Sequence, residues 1–145
     1  MFCEKKEGTA NGRPPVITNL SEMIAHFVRE LIDENEHHYR LSNLWMSVSR
    51  DLARHWDIDS LCRETAMSQE KLRLLSHKET GKSPIAQVTH LRMRQAADLL
   101  GEAELSVQQI ANMVGYENPF NFSLAFKRLY GLSPSHFRKK QLSDG

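Results

Sequence analysis

The chain has 145 residues, 40% apolar and 26% charged, with few glycines and prolines, a balance that fits one ordinary soluble domain or two very small ones. A formal net charge of +1 excludes binding driven by a global basic field, so a polyanionic partner has to be met by a local patch. No stretch alternates as a strand, no apolar run has membrane-spanning length, and two cysteines, Cys3 and Cys62, make no disulfide framework; the expectation is an all-α cytoplasmic protein.

Residues 1–18 are polar, carry Gly8, Gly12 and Pro14–Pro15, and lack the apolar core of a signal peptide. They read as a tail or flexible linker. Leu20, Met23, Ile24, Phe27, Val28, Leu31 and Ile32 then recur at spacings of three and four, which predicts an amphipathic helix capped by Asn19 or Ser21. The polar run Asp33–His38 reads as a break. A second stripe, Leu41, Leu44, Trp45, Val48, Leu52 and Trp56, completes a predicted helical hairpin over 19–56. Such a hairpin cannot bury both stripes alone. It packs on the rest of the chain or forms a homodimer interface through residues 20–56.

From Asp57 onward the helices shorten and the punctuation becomes dense. Leu61–Ala66 is a brief helix. Ser68 caps the next, which stops at Gly81. Ser83 caps again with Pro84 at the first helical position, opening a linking helix over 84–100 that Gly101 ends. Ser106 and Gln109 form a capping box ahead of Val107–Met113, and Gly115 supplies a left-handed turn. Asn118 and Pro119 open a helix that runs to Tyr130, before Gly131. Ser133–Pro134 start a closing helix over 134–140.

This second half repeats itself. Leu61-Cys62, Ala66-Met67-Ser68, Leu72, Gly81 and Ser83-Pro84 are echoed by Ile110-Ala111, Gly115-Tyr116-Glu117-Asn118, Phe122, Gly131 and Ser133-Pro134, and the capping residues Ser68 and Asn118 stand fifty positions apart. A short helix, a tight turn and a capped second helix describe a helix-turn-helix, whose second helix fits the DNA major groove. The predicted units are 59–81 and 106–131. The linking helix is long enough for the two units to address successive grooves on one DNA face.

The stretch Ser106-Val-Gln-Gln-Ile-Ala-Asn-Met-Val-Gly-Tyr-Glu-Asn, followed by Phe122-Ser-Leu-Ala-Phe-Lys-Arg and Tyr130-Gly-Leu-Ser-Pro-Ser-His-Phe-Arg138, resembles the C-terminal DNA-binding domain of AraC/XylS-type transcriptional regulators. Leu91-Arg92-Met93 and Ala96-Ala97-Asp98-Leu99-Leu100 resemble that family's linking helix. The resemblance covers about 57–141. It implies a homeodomain-like fold and a bacterial-type regulator, more an activator touching RNA polymerase than a repressor, with double-stranded DNA as partner. It implies no cofactor, metal or enzymatic activity. Longer members carry an N-terminal sensor barrel, which is not found in this sequence.

Outward positions supply the candidate DNA contacts. In the first unit they are Gln69, Glu70, Arg73 and His77, with Arg73 suited to guanine. In the second they are Phe120, Asn121, Ser123, Leu124, Lys127 and Arg128. Asn121 suits adenine there, Phe120 and Leu124 suit thymine methyls, and the basic pair suits phosphate. Arg138 and Lys139 are further phosphate candidates, although Arg138 belongs to the family's closing motif and has a structural reading too. Leu74 and Leu124 stand where the family commonly has arginine. Ser76 replaces a usual core aromatic, and Ala66 replaces the glycine of the first turn, at an expected cost on the order of 1 kcal/mol. The alternative function is a helical protein-interaction module in which Leu74, Phe120 and Leu124 form the binding face. His37–His38 as a metal site and Cys62/His55 as a nucleophile and base are both set aside, because consecutive histidines on a helix cannot both face one metal and Cys62 takes the family's core alanine position.

Overall fold

The structure, a computed structural model, describes residues 15–102 and 104–145. Seven helices occur among them: α1 (Pro15–Arg50), α2 (Ile58–Thr65), α3 (Gln69–Thr80), α4 (Pro84–Gly101), α5 (Val107–Met113), α6 (Pro119–Tyr130) and α7 (Pro134–Asp144). The chain divides into two units, 1–39 and 40–145, and most of the tail expected over 1–18 lies outside the described residues.

The expected hairpin is a single helix. α1 runs without interruption for 36 residues, so Asp33–His38 is helical, Asn19 and Ser21 lie inside the helix rather than at its cap, and Pro15–Thr18 belong to it as well. The reason is chemical. No glycine or proline occurs from Val16 to Asp57, and glutamate is a good helix former, so a polar run changes what the helix faces without ending it. The second stripe also ends early. After Arg50 the chain turns, Arg54 N–H donating to Asp51 O at 3.3 Å, and the Trp56 indole N–H closes the turn on Asp51 O at 2.8 Å.

In the first unit the stripe Leu20, Met23, Ile24, Phe27, Val28, Leu31 and Ile32 is exposed throughout. The second unit begins at Arg40, ahead of the boundary expected at 57. It holds two apolar clusters. One gathers Leu41, Leu44, Val48, Leu52 and Trp56 with Leu61, Met67, Leu72 and Val88. The other gathers Met93, Ala96, Ala97 and Leu100 with Ile110, Ala111, Val114, Phe122 and Phe126. The linking helix α4 serves both: its first turns fill the first cluster, its last turns the second, and it packs against α2, α3, α5, α6 and α7.

The short helices exist because their ends are closed. Asp57 caps α2, its carboxylate accepting from Ser60 N–H at 2.8 Å while Ser60 Oγ accepts from Asp57 N–H at 3.0 Å. The Ser60 backbone N–H, and then its side chain, hold the Asp57 carboxyl below its ordinary pKa. Ser68, Ser83, Ser106, Asn118 and Ser133 cap α3 to α7, each side chain accepting from a backbone N–H of the first turn, as expected, and Ser106 with Gln109 repeats the two-way box. The closing helix α7 continues past 140 to Asp144.

Candidate nucleic-acid interface

Each helix-turn-helix turn is built on one left-handed residue. Ala66 takes φ 55°, ψ 36° in the first, as its place in the repeat requires, and Gly115 takes φ +90° in the second. Met67 N–H returns to Cys62 O at 3.3 Å, and Tyr116 N–H to Ala111 O at 2.8 Å. The turns then diverge. Ser68 follows Met67 directly, whereas Glu117 intervenes before Asn118, so the second turn is one residue longer.

Beyond the caps the fifty-residue register holds position by position. Leu72 and Phe122 are fully buried, as are Ser76 and Phe126. The opposite faces of α3 and α6 are exposed. Gln69, Glu70, Arg73 and His77 are exposed on α3; Phe120, Asn121, Leu124, Lys127 and Arg128 are exposed on α6, with Ser123 half-buried. The sequence-predicted residues therefore fall on one outward face of each second helix. Two are partly engaged. Gln69 Nε2 donates to Asp59 Oδ1 at 3.1 Å, and Arg73 borders an open cleft beside Trp56, Ile58 and Ile85. α6 has no acidic residue in its first turn and ends in Lys127 and Arg128, which suits a phosphate backbone.

Two arginines prove to be braces rather than surface charges. Arg138 donates to Leu100 O at 3.3 Å and to Leu105 O at 2.6 Å, tying α7 to the end of α4, so its structural reading prevails. Arg92, on α4, donates through Nε to Leu52 O at 3.1 Å and through Nη2 to Arg54 O at 2.9 Å, with its guanidinium 5.7 Å from the centre of the Tyr116 ring. Burial lowers its pKa, the nearby Tyr116 acting the other way. Gly115 sits in the same joint: a Cβ there would lie 2.5 Å from Leu52 O. The first half of the unit is thus pinned to the turn of the second. Sequence reasoning assigned Gly115 to turn geometry alone and gave Arg92 no role. The available signal was a cation set between the apolar Leu91 and Met93 on a core helix.

No catalytic arrangement forms around Cys62. Its thiol is half-buried, and desolvation raises its pKa, disfavouring the thiolate. Among the described residues no group of three or more metal-ligating side chains converges, and no helix is long and apolar enough to cross a membrane.

Two helix-turn-helix units on one shared helix are the plan of a DNA-binding domain. The helix-turn-helix domain family matches residues 61–140, and the chain belongs to the AraC/XylS-type family of DNA-binding transcriptional regulators. It is 36% identical over 103 residues to the HTH-type transcriptional regulator AlkR of Acinetobacter baylyi, covering 71% of this chain and 34% of that protein. It is 44% identical over 82 residues to the raffinose operon transcriptional regulatory protein RafR of Pediococcus pentosaceus, covering 57% of this chain and 30% of that protein. The chain spans about a third of the length of these curated relatives. The crystal structure of the DNA-binding domain of AdpA in complex with a target DNA shares the fold, with a TM-score of 0.69 at 24% identity over 72% of this chain and 95% of that one.

Proposed function

We propose that the chain regulates transcription by setting α3 and α6 into successive major grooves on one face of double-stranded DNA. The observation that carries this reading is the register between the halves: the same positions are buried, the same are outward, and an eighteen-residue helix, about 27 Å long at the α-helical rise, joins them. In this reading Arg73 contacts guanine and Asn121 adenine. Gln69, Glu70, His77 and Ser123 complete the polar reading faces, and Lys127 with Arg128 anchors the backbone. Regulation is activation through contact with RNA polymerase, in the cytoplasm on nucleoid DNA.

The test is selection of bound sequences from random DNA with the full chain and with Arg73→Ala and Asn121→Ala. Each variant is expected to relax preference at one base position by about 1–3 kcal/mol. Uniform weakening across sequences would make the residue a phosphate contact, and unselective binding by the wild type would remove the reading. The interaction-module alternative is favoured by exposed Leu74, Phe120 and Leu124 and by the near-neutral charge. A steep fall of DNA affinity with salt speaks against it.

The exposed stripe of α1 suits a homodimer. Leu20, Ile24, Phe27 and Leu31 follow a four-three-four spacing, the seam of a helix that pairs with a second copy. Sedimentation of the full chain against Leu31→Glu checks it: a wild type that is already monomeric at micromolar concentration removes the dimer.

A further inference from the structure

Three apolar side chains on the second helices face outward. Leu74 is 69% exposed, Phe120 67% and Leu124 47%. A single exposed leucine needs no explanation, but these are related by the repeat. Leu74 and Leu124 stand fifty positions apart, each two residues beyond the fully buried Leu72 or Phe122, so they occupy the same place on α3 and α6. Phe120 lies one helical turn before Leu124 on the same face, and its counterpart on α3 is Glu70.

The chemistry of the surroundings indicates what covers them. α6 carries no acidic residue at all along Pro119–Tyr130, and its last turn holds Lys127 and Arg128. Its outward face is therefore complementary to a polyanion, with apolar groups ahead of the cations. In a major groove the base edges offer one apolar group, the C5-methyl of thymine.

We propose that Leu74, Phe120 and Leu124 read thymine methyl groups: Leu74 and Leu124 one each, at the equivalent place in the two half-sites, and Phe120 a second one under α6. The inference rests on the DNA-reading role proposed above and gives it a sequence content. The two half-sites share one thymine, spaced by about one helical turn of 10–10.5 bp. They differ at the neighbouring base, where α6 offers Phe120 and α3 offers Glu70, an acceptor suited to the cytosine N4 amino group.

The experiment uses DNA selected by the wild-type chain. Each thymine is replaced singly by deoxyuridine, which removes the methyl and leaves base pairing intact. Three thymines are expected to matter, each substitution weakening binding about fourfold, the worth of one buried methyl-sized group. Leu74→Ala and Leu124→Ala should each abolish the sensitivity at one of the shared thymines and leave the other two unchanged. Sequence-specific binding in which no uracil substitution matters would overturn the inference and leave DNA reading standing. Absence of any sequence-selective binding would overturn both readings.

Discussion

The two helix-turn-helix halves share a backbone plan and close it with opposite chemistry. In the second half Phe126, Tyr130 and Phe137 form an aromatic cluster, with ring centroids 4.7 Å apart for Phe126–Tyr130 and 5.2 Å for Phe126–Phe137. The residues in register in the first half are Ser76, Thr80 and Gln87. Ser76 is fully buried and donates to Lys82 O at 2.8 Å. Thr80 Oγ1 donates to Ser76 O at 2.8 Å and accepts from Lys82 N–H at 3.2 Å. Gln87 Oε1 is buried with no partner. A hydrogen-bonded turn thus stands where the other half has stacked rings. The apolar material missing there comes from outside the repeat, in Leu41, Leu44 and Val48 of α1 and in Trp56. Caps and turns set the plan; the filling differs, and in the first half Ser76 and Thr80 are paired while Gln87 Oε1 is left without a partner.

The largest expected effect breaks that comparison directly. Phe126→Ala removes a fully buried ring from three aromatic contacts and should cost about 3–5 kcal/mol in urea unfolding of the full chain. Ser76→Ala, at the matching place, loses one hydrogen bond and should cost about 1 kcal/mol. Equal losses would mean that the polar closure carries as much as the aromatic one.

The joint between the halves comes next. Gly115→Ala forces a side chain into a left-handed turn and against Leu52 O, at an expected cost of about 2–3 kcal/mol. Arg92→Ala strands the two carbonyls it serves and should cost about 2 kcal/mol. A loosened joint should also shrink the affinity advantage of a two-half-site DNA over a single half-site, since that advantage depends on rigid spacing. Arg92→Lys, a point charge without the fork, should rescue this only in part. If Arg92→Ala lowers the unfolding midpoint and leaves the half-site ratio unchanged, Arg92 stabilises the fold without setting the geometry.

Much of this was legible because it is local. Ser68, Ser83, Ser106, Asn118 and Ser133 announce their helices within three residues, and Ala66 is identified as left-handed by its place in the repeat. The outward faces of α3 and α6 follow from the same fifty-residue register. α1 was misread because polarity at Asp33–His38 reports what a helix faces, while continuity depends on the absence of helix breakers. Arg92 was missed because its acceptors lie 38 and 40 positions away in sequence, and no periodicity encodes that distance. The resemblance located the DNA-binding domain; the polar closure of its first half is visible only when Ser76, Thr80 and Gln87 are set against their counterparts.

A smaller effect sharpens the contrast between turns. Ala66 holds φ 55° without a glycine, and it is exposed, so Ala66→Gly relieves strain without opening a cavity. Against the extra freedom that glycine brings to the unfolded chain, the net gain should be about 0.5 kcal/mol, read as a raised urea midpoint. A loss would mean that the alanine conformation is unstrained there.

The smallest effect belongs to His90, on the stretch of α4 that serves the first half. Its Nδ1 is buried without a partner. Burial, then Lys82 and Arg94, hold its pKa below the ordinary 6.5. The unfolded chain therefore takes up a proton near pH 6.5 while the folded protein still refuses it, and the unfolded state gains as pH falls. The stability tied to neutral His90 is full above 6.5 and declines as pH drops through 6.5 toward the lower folded pKa. Urea midpoints at pH 7.5 and 5.5, compared between wild type and His90→Gln, isolate this histidine from the other six. Wild type should lose more on acidification. Equal losses would show that His90 accepts its proton in the folded protein as readily as in the unfolded chain.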